Sequence, residues 1–149
     1  MVTGTFELGG TGSSSGAIRV LGPRVDGLAG YSVAVAQQDD DPHVEIALAG
    51  CISFTGAAGG CGPTSERDFA GELYVFDLST AASMVDLRVT PMDLVTFGAD
   101  PFDRFGASLY RADTDGVVPD ELVIGAPDAD GPDGLRSSAG EVLVISGVP

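Results

Sequence analysis

The sequence predicts an all-β fold of short strands joined by tight turns, and three observations carry that prediction. Of 149 residues, 22 are Gly and 9 are Pro, the two residues that most often punctuate turns. The apolar residues come in runs of about four to eight bounded by turn residues, a length that suits strands better than helices. The order of these runs also repeats within the chain, as in folds built from copies of one supersecondary unit.

Taken in order, residues 1–15 are small and polar apart from Phe6 and Leu8 and read as a flexible N-terminal segment. Residues 16–149 read as one unit of two repeats, the first over about 16–78 and the second over about 79–149. Strands are expected at Ala17–Leu21, Tyr31–Ala36, Val44–Ala49, Leu73–Asp77, Val85–Val89, Ala107–Tyr110, Glu121–Ile124 and Val142–Ile145. Val44–Ala49 and Glu121–Ile124 are nearly continuously apolar, which fits strands covered on both faces. Gly50 to Ala70 and Pro127 to Ala139 are rich in Gly, Ser and Asp and read as exposed loops. One short helix is conceivable at Ser79–Asp86, ended by Thr90-Pro91, because proline drives its predecessor toward extended geometry.

The repeat is clearest between Phe105 and Ser146. Phe105-Gly106-Ala107-Ser108 opens it, an acidic turn follows, then Glu121-Leu122-Val123-Ile124-Gly125-Ala126-Pro127, and Ala139-Gly140-Glu141-Val142-Leu143-Val144-Ile145 closes it. A more worn copy precedes it: Gly30-Tyr31-Ser32, then Glu45-Ile46-Ala47-Leu48-Ala49-Gly50 with Cys51 in place of the proline, then Ala70-Gly71-Glu72-Leu73-Tyr74-Val75-Phe76. Ser15 to Leu21 reads as a third copy of the closing strand.

Phe105-Gly106 and Gly125-Ala126-Pro127, in this order and setting, resemble the FG-GAP repeat of integrin α-chain β-propellers and their bacterial and archaeal relatives. The resemblance implies β-propeller-type blades, about two of them, belonging to or assembling into a larger propeller. Closed propellers have about four to eight blades, so two would leave apolar faces and strand edges open to pairing. The leading strand then suggests a first repeat completed by strand exchange.

The resemblance also implies a calcium loop between the first two strands of each repeat, where oxygen ligands alternate and a later acid closes the set. Calcium suits such loops because it takes many hard oxygen ligands in flexible geometry. In the second repeat the ligand positions fall on Asp113, Asp115, Val117 and Glu121, with Val117 offering only its carbonyl, and these are expected to converge. In the first they fall on Gln37, Asp39, Asp41 and Glu45, with Pro42 where glycine is usual. Both loops depart from the pattern, so the Ca2+ sites are expected to be weak. The alternative is a turn whose Asp residues cap backbone amides. The later acidic loop, Asp128 to Gly134, reads as ordinary Gly/Pro turn chemistry.

Cys51 and Cys61 flank a glycine-rich stretch that lets the chain fold back. A local disulfide in an oxidising compartment, two free thiols, or a zinc site with His43 all remain open, zinc being disfavoured by the lack of further ligands at paired spacing. His43, beside Pro42, reads as an exposed turn residue.

The net charge is −15, every basic residue is Arg, and Lys and Asn are lacking. Such a surface repels phosphate backbones and offers no basic patch to anionic membranes. No run reaches the roughly 18 apolar residues of a membrane helix, and the start carries no signal-peptide pattern. Catalysis finds little support. Gly12-Ser13-Ser14-Ser15-Gly16 matches the Gly-x-Ser-x-Gly pattern but lacks the strand before and helix after that make a nucleophile elbow, so no catalytic residue is assigned.

The resulting expectation is a non-enzymatic interaction or adhesion module, extracellular or at the cell surface. Its partner would be a protein or glycan, with self-association or remaining blades, and no nucleic acid or membrane insertion. The competing readings are an accessory or lectin-like propeller domain of a larger secreted enzyme, and a self-assembling short structural protein.

Overall fold

The computed structural model describes residues 18–52, 61, 67–79 and 84–147. Strands and turns account for them, with no helix among the described residues. The strands are β1 (Arg19–Leu21), β2 (Ser32–Ala36), β3 (Glu45–Gly50), β4 (Glu72–Asp77), β5 (Met84–Asp86), β6 (Leu94–Phe97), β7 (Ser108–Ala112), β8 (Glu121–Ala126) and β9 (Glu141–Ser146). The all-β expectation holds. Residues 1–17, which include the flexible segment and Gly12 to Gly16, lie outside the described residues, as does most of the loop between the cysteines.

β2, β3, β4 and β6 form a four-stranded antiparallel sheet in that order, β7, β8 and β9 a three-stranded antiparallel one, and β1 pairs with β5 in parallel. Three expectations need correction. Met84–Asp86 is extended rather than helical, and residues 80–83 of the helix candidate lie outside the described residues. The strand β6 was not anticipated; it completes the first sheet by pairing Leu94–Phe97 with Glu72–Val75. β1 joins neither larger sheet, despite its likeness to β4 and β9, because Val20 is held against Val85 where both cover the first sheet.

Side chains alternate across a strand, so the first sheet has two apolar faces. Ala34, Ala36, Ala47, Ala49, Leu73 and Val75 pack on Leu109, Leu122, Ile124 and Ala126 of the second sheet to form the main core. Leu48, Tyr74 and Phe76, with Ile46, pack on the other side against Val85, Leu87, Val20 and Met92. Burying side chains such as Leu122 and Ile124 contributes about 1.5–3 kcal/mol each, and the alanines allow the two sheets a close approach.

The two sheets are copies in backbone as well as in sequence. Ser32–Ala36 pairs Glu45–Ala49 as Ser108–Ala112 pairs Glu121–Gly125. The turns entering β2 and β7 also match: Asp26, Leu28 and Gly30 have positive φ, as do Phe102, Arg104 and Gly106 at the same spacing. Gly30 and Tyr31 donate to Ala49 O, and Gly106 and Ala107 to Gly125 O.

What joins the sheets is the Phe102–Gly106 turn. It lies in a notch of the first sheet, where Phe102, Arg104 and Phe105 amides donate to the carbonyls of Asp68, Phe69 and Ala70. Ser32 Oγ donates to Gly106 O at 2.6 Å. The notch needs Gly71, since a Cβ there would stand 1.9 Å from Phe105 O. The Phe-Gly pair is therefore an inter-sheet plug as well as the entry to β7.

Candidate metal centre

Two loops, residues 37–44 and 113–120, leave their sheets at the same register, Ala36 facing Glu45 and Ala112 facing Glu121. In each, the closing glutamate accepts from the second loop residue: Gln38 N to Glu45 Oε2 at 2.5 Å, and Thr114 N to Glu121 Oε2 at 2.7 Å. The alignment of the two loops by sequence is thus an alignment in space.

Their carboxylates are disposed differently. In the first loop Asp39, Asp41 and Glu45 each bring an oxygen within 4.8 Å of the others. Glu45 is only 1% exposed and its Oε1 has no hydrogen-bond partner among the described residues. Burial pushes its carboxyl above the ordinary range; the Gln38 amide opposes this, and the charges of Asp39 and Asp41 add to the rise. Asp39 Oδ1 accepts from Asp41 N at 2.8 Å and Asp41 Oδ1 from His43 N at 2.7 Å, which fixes the loop's curvature. At the first ligand position Gln37 turns its amide nitrogen onto Asp39 O and Asp41 O, at 3.1 and 2.5 Å.

In the second loop the acids also accept from the loop's own amides, but they do not converge. Asp113 Oδ1 accepts from Gly116 N at 2.6 Å, Asp115 Oδ1 from Val117 N at 2.9 Å, and Glu121 Oε2 also from Thr114 Oγ1 at 2.6 Å. These bonds from Thr114, with one from Ser146 Oγ to Oε1, hold the Glu121 carboxyl below its ordinary range. The expected convergence of Asp113, Asp115 and Glu121 is not among the close groups formed by the described residues. Gly116, at φ 80°, lets the turn close onto Asp113, whereas the same position of the first loop is Asp40.

Sequence reasoning passed over the residue that joins the loops. Asp120 is buried, accepts from Gln37 N at 2.8 Å through Oδ2, and pairs with Arg111 Nε at 2.7 Å. Arg111 and the Gln37 amide hold its carboxyl below the ordinary range. Asp120 N donates back to Gln37 O, and Gln38 Nε2 donates to Asp120 O at 2.5 Å. Its signal was an acid beside Glu121 at the mouth of a strand, which is easily mistaken for turn polarity.

His43 is exposed, as expected, and its ring nitrogen lies 3.2 Å from Asp41 Oδ2. That bond raises its pKa, and the charge of Asp77 adds to the rise. Cys51 and Cys61 form a disulfide with Cα atoms 5.8 Å apart. This removes the free-thiol and zinc alternatives and fits an oxidising, non-cytosolic setting. No helix among the described residues is long and apolar enough to cross a membrane.

The first loop fits a hard divalent cation. It offers three carboxylates, one of them buried with an oxygen that no donor among the described residues reaches, and burying such a charge unpaired is costly. No protein-family model matches the chain and no curated protein matches it significantly.

Proposed function

We propose that this chain is a non-enzymatic, FG-GAP-type interaction module of propeller-like blades, stabilised by calcium and working outside the cytosol. The observation that supports it most is the convergence of Asp39, Asp41 and the buried Glu45, whose Oε1 has no hydrogen-bond partner among the described residues, at the mouth of one of two matched repeats. Calcium would supply the positive charge that lets Glu45 ionise while buried. The chain's own part is to hold the mouth in shape, through Gln37 across the first loop and through Asp120 and Arg111 between the loops. The rigid loop ends at that mouth then form the surface offered to a protein or glycan partner. A second reading, self-assembly, is favoured by the exposed outer face of the second sheet.

Calorimetric titration tests the site. Binding only to the folded state adds about 2.7 kcal/mol at a hundredfold excess over Kd, and sodium at matched ionic strength controls for screening. Glu45→Gln keeps an acceptor for Gln38 N but removes the charge, so it should abolish the calcium response. It should leave the calcium-free protein at least as stable as the parent at neutral pH. The sign follows from Glu45 itself. Its folded pKa lies above the reference 4.5, so its contribution is most favourable at low pH and is lost as pH rises from 4.5 through the folded value. Calcium affinity should fall as pH is lowered through that same window. A calcium response unchanged in Glu45→Gln would refute the site.

A further inference from the structure

The outer face of the second sheet repeats the notch that the Phe102–Gly106 turn fills in the first, and there the notch is open. Ala70, Leu73 and Val75, which line the filled notch and its face, are fully buried; their counterparts Ala139, Val142 and Val144 are exposed, the valines at 66% and 53%. A hollow of about 630 Å³ lies there, lined by Ser108, Gly125, Pro127, Ala139, Gly140 and Val142 among others. Its backbone matches the filled notch: Phe69 and Gly71 have positive φ, as do Ser138 and Gly140, and Ala70 N donates to Arg67 O as Ala139 N does to Arg136 O. Even the hydroxyl that grips the plug is repeated, Ser108 standing where Ser32 stands.

We propose that this hollow is a socket for the Asp26–Tyr31 turn of a second copy of the chain. That turn is the replica of the plug, with the same three positive φ values and the same hydrogen bonds to its own sheet. Its tip is open at Gly30, where nothing among the described residues lies within 4 Å of an added Cβ. Leu28, Tyr31, Val33 and Val35 beside it are exposed, and on the socket side so are Tyr110, Val142 and Val144. By the internal template, the Asp26, Leu28 and Ala29 amides of the second copy would donate to the carbonyls of Ser137, Ser138 and Ala139 of the first, and Ser108 Oγ of the first to Gly30 O of the second. Tyr110 occupies the place of Ala34, so a ring seats against the Val33 side. The contact is head-to-tail, and such contacts close into rings when the rotation allows. Two to four copies would supply the about four to eight blades of closed propellers.

The proposal rests on the repeat reading above but not on calcium, so calcium titration of the same samples separates the two. Size-exclusion chromatography with light scattering should give a mass two to four times the chain's. Ser108→Trp places an indole in the hollow from an exposed rung. Gly140→Ala places a methyl where the template puts the incoming carbonyl. Each should reduce the mass to that of one chain while the Cys51–Cys61 disulfide and the calcium response persist. A wild-type protein of single-chain mass at every concentration, as expected if a further repeat or another protein fills the socket, overturns the proposal. So does assembly undiminished in both variants.

Discussion

Gly71→Ala should be the most damaging glycine-to-alanine change among the described residues. Gly71 has φ 96°, and its added Cβ would stand 1.9 Å from Phe105 O and 2.6 Å from Phe105 N. Both are backbone atoms, so no rotamer change relieves the clash. Either the plug leaves its notch, breaking its bonds to Asp68, Phe69 and Ala70, or the strand beneath it shifts. Left-handed geometry costs an alanine about 1–2 kcal/mol, and overpacking a rigid site about 1–3 kcal/mol more. At roughly 2–4 °C per kcal/mol for a chain of this size, the melting temperature should fall by about 10 °C. Gly140→Ala is the matched control within one chain. Gly140 has φ 77°, but its Cβ would meet Pro127 O at 3.3 Å and no plug, so in the isolated chain it should show the conformational cost plus a shift of a few tenths of an ångström at Pro127. Scanning calorimetry of both variants under non-assembling conditions measures the difference. Equal losses would mean that the plug does not seat as described.

The second large effect is loss of the disulfide. The two cysteines are ten residues apart and, with Ala70, form a buried cluster under the notch. A cross-link over a loop of this length stabilises by about 2.5–3 kcal/mol in the chain-entropy account. The Cys51→Ala, Cys61→Ala double variant should therefore melt roughly 5–10 °C lower. Gly71 N lies 3.4 Å from Cys61 Sγ, so the loss should also loosen the notch and raise amide exchange at Phe105. Chemical denaturation with and without reductant reads the stability change. A difference below about 1 kcal/mol would show that the unfolded chain gains little from the cut.

Much of the fold was legible because its repeat was. Glu45 and Glu121, Ser32 and Ser108, Gly71 and Gly140 align by sequence, and each pair turns out to share register or backbone conformation. β6 escaped notice because Leu94–Phe97 lies between the matched motifs and owes its extension to pairing with β4. β1 was read as a third copy of β4 and β9, yet an apolar alternation fits any sheet, and β1 found its partner in β5. In the loops, counting oxygen-bearing residues favoured Asp113 and Asp115. That count does not register whether the acids of a loop converge, which follows the path of the turn, closed onto Asp113 at Gly116 in one loop and spanned by the Gln37 amide in the other. Nor does it foresee a bridge such as Asp120, whose partners lie on a distant loop.

Amide chemical shifts followed through a calcium titration locate the cation most directly. Binding at Asp39, Asp41 and Glu45 should move the amides of Gln38, Asp41 and His43, whose acceptors are those carboxylates. Thr114, Gly116 and Val117, bonded to Glu121, Asp113 and Asp115, should stay in place. Shifts confined to Thr114, Gly116 and Val117, or none beyond those seen with sodium, would contradict the first-loop site.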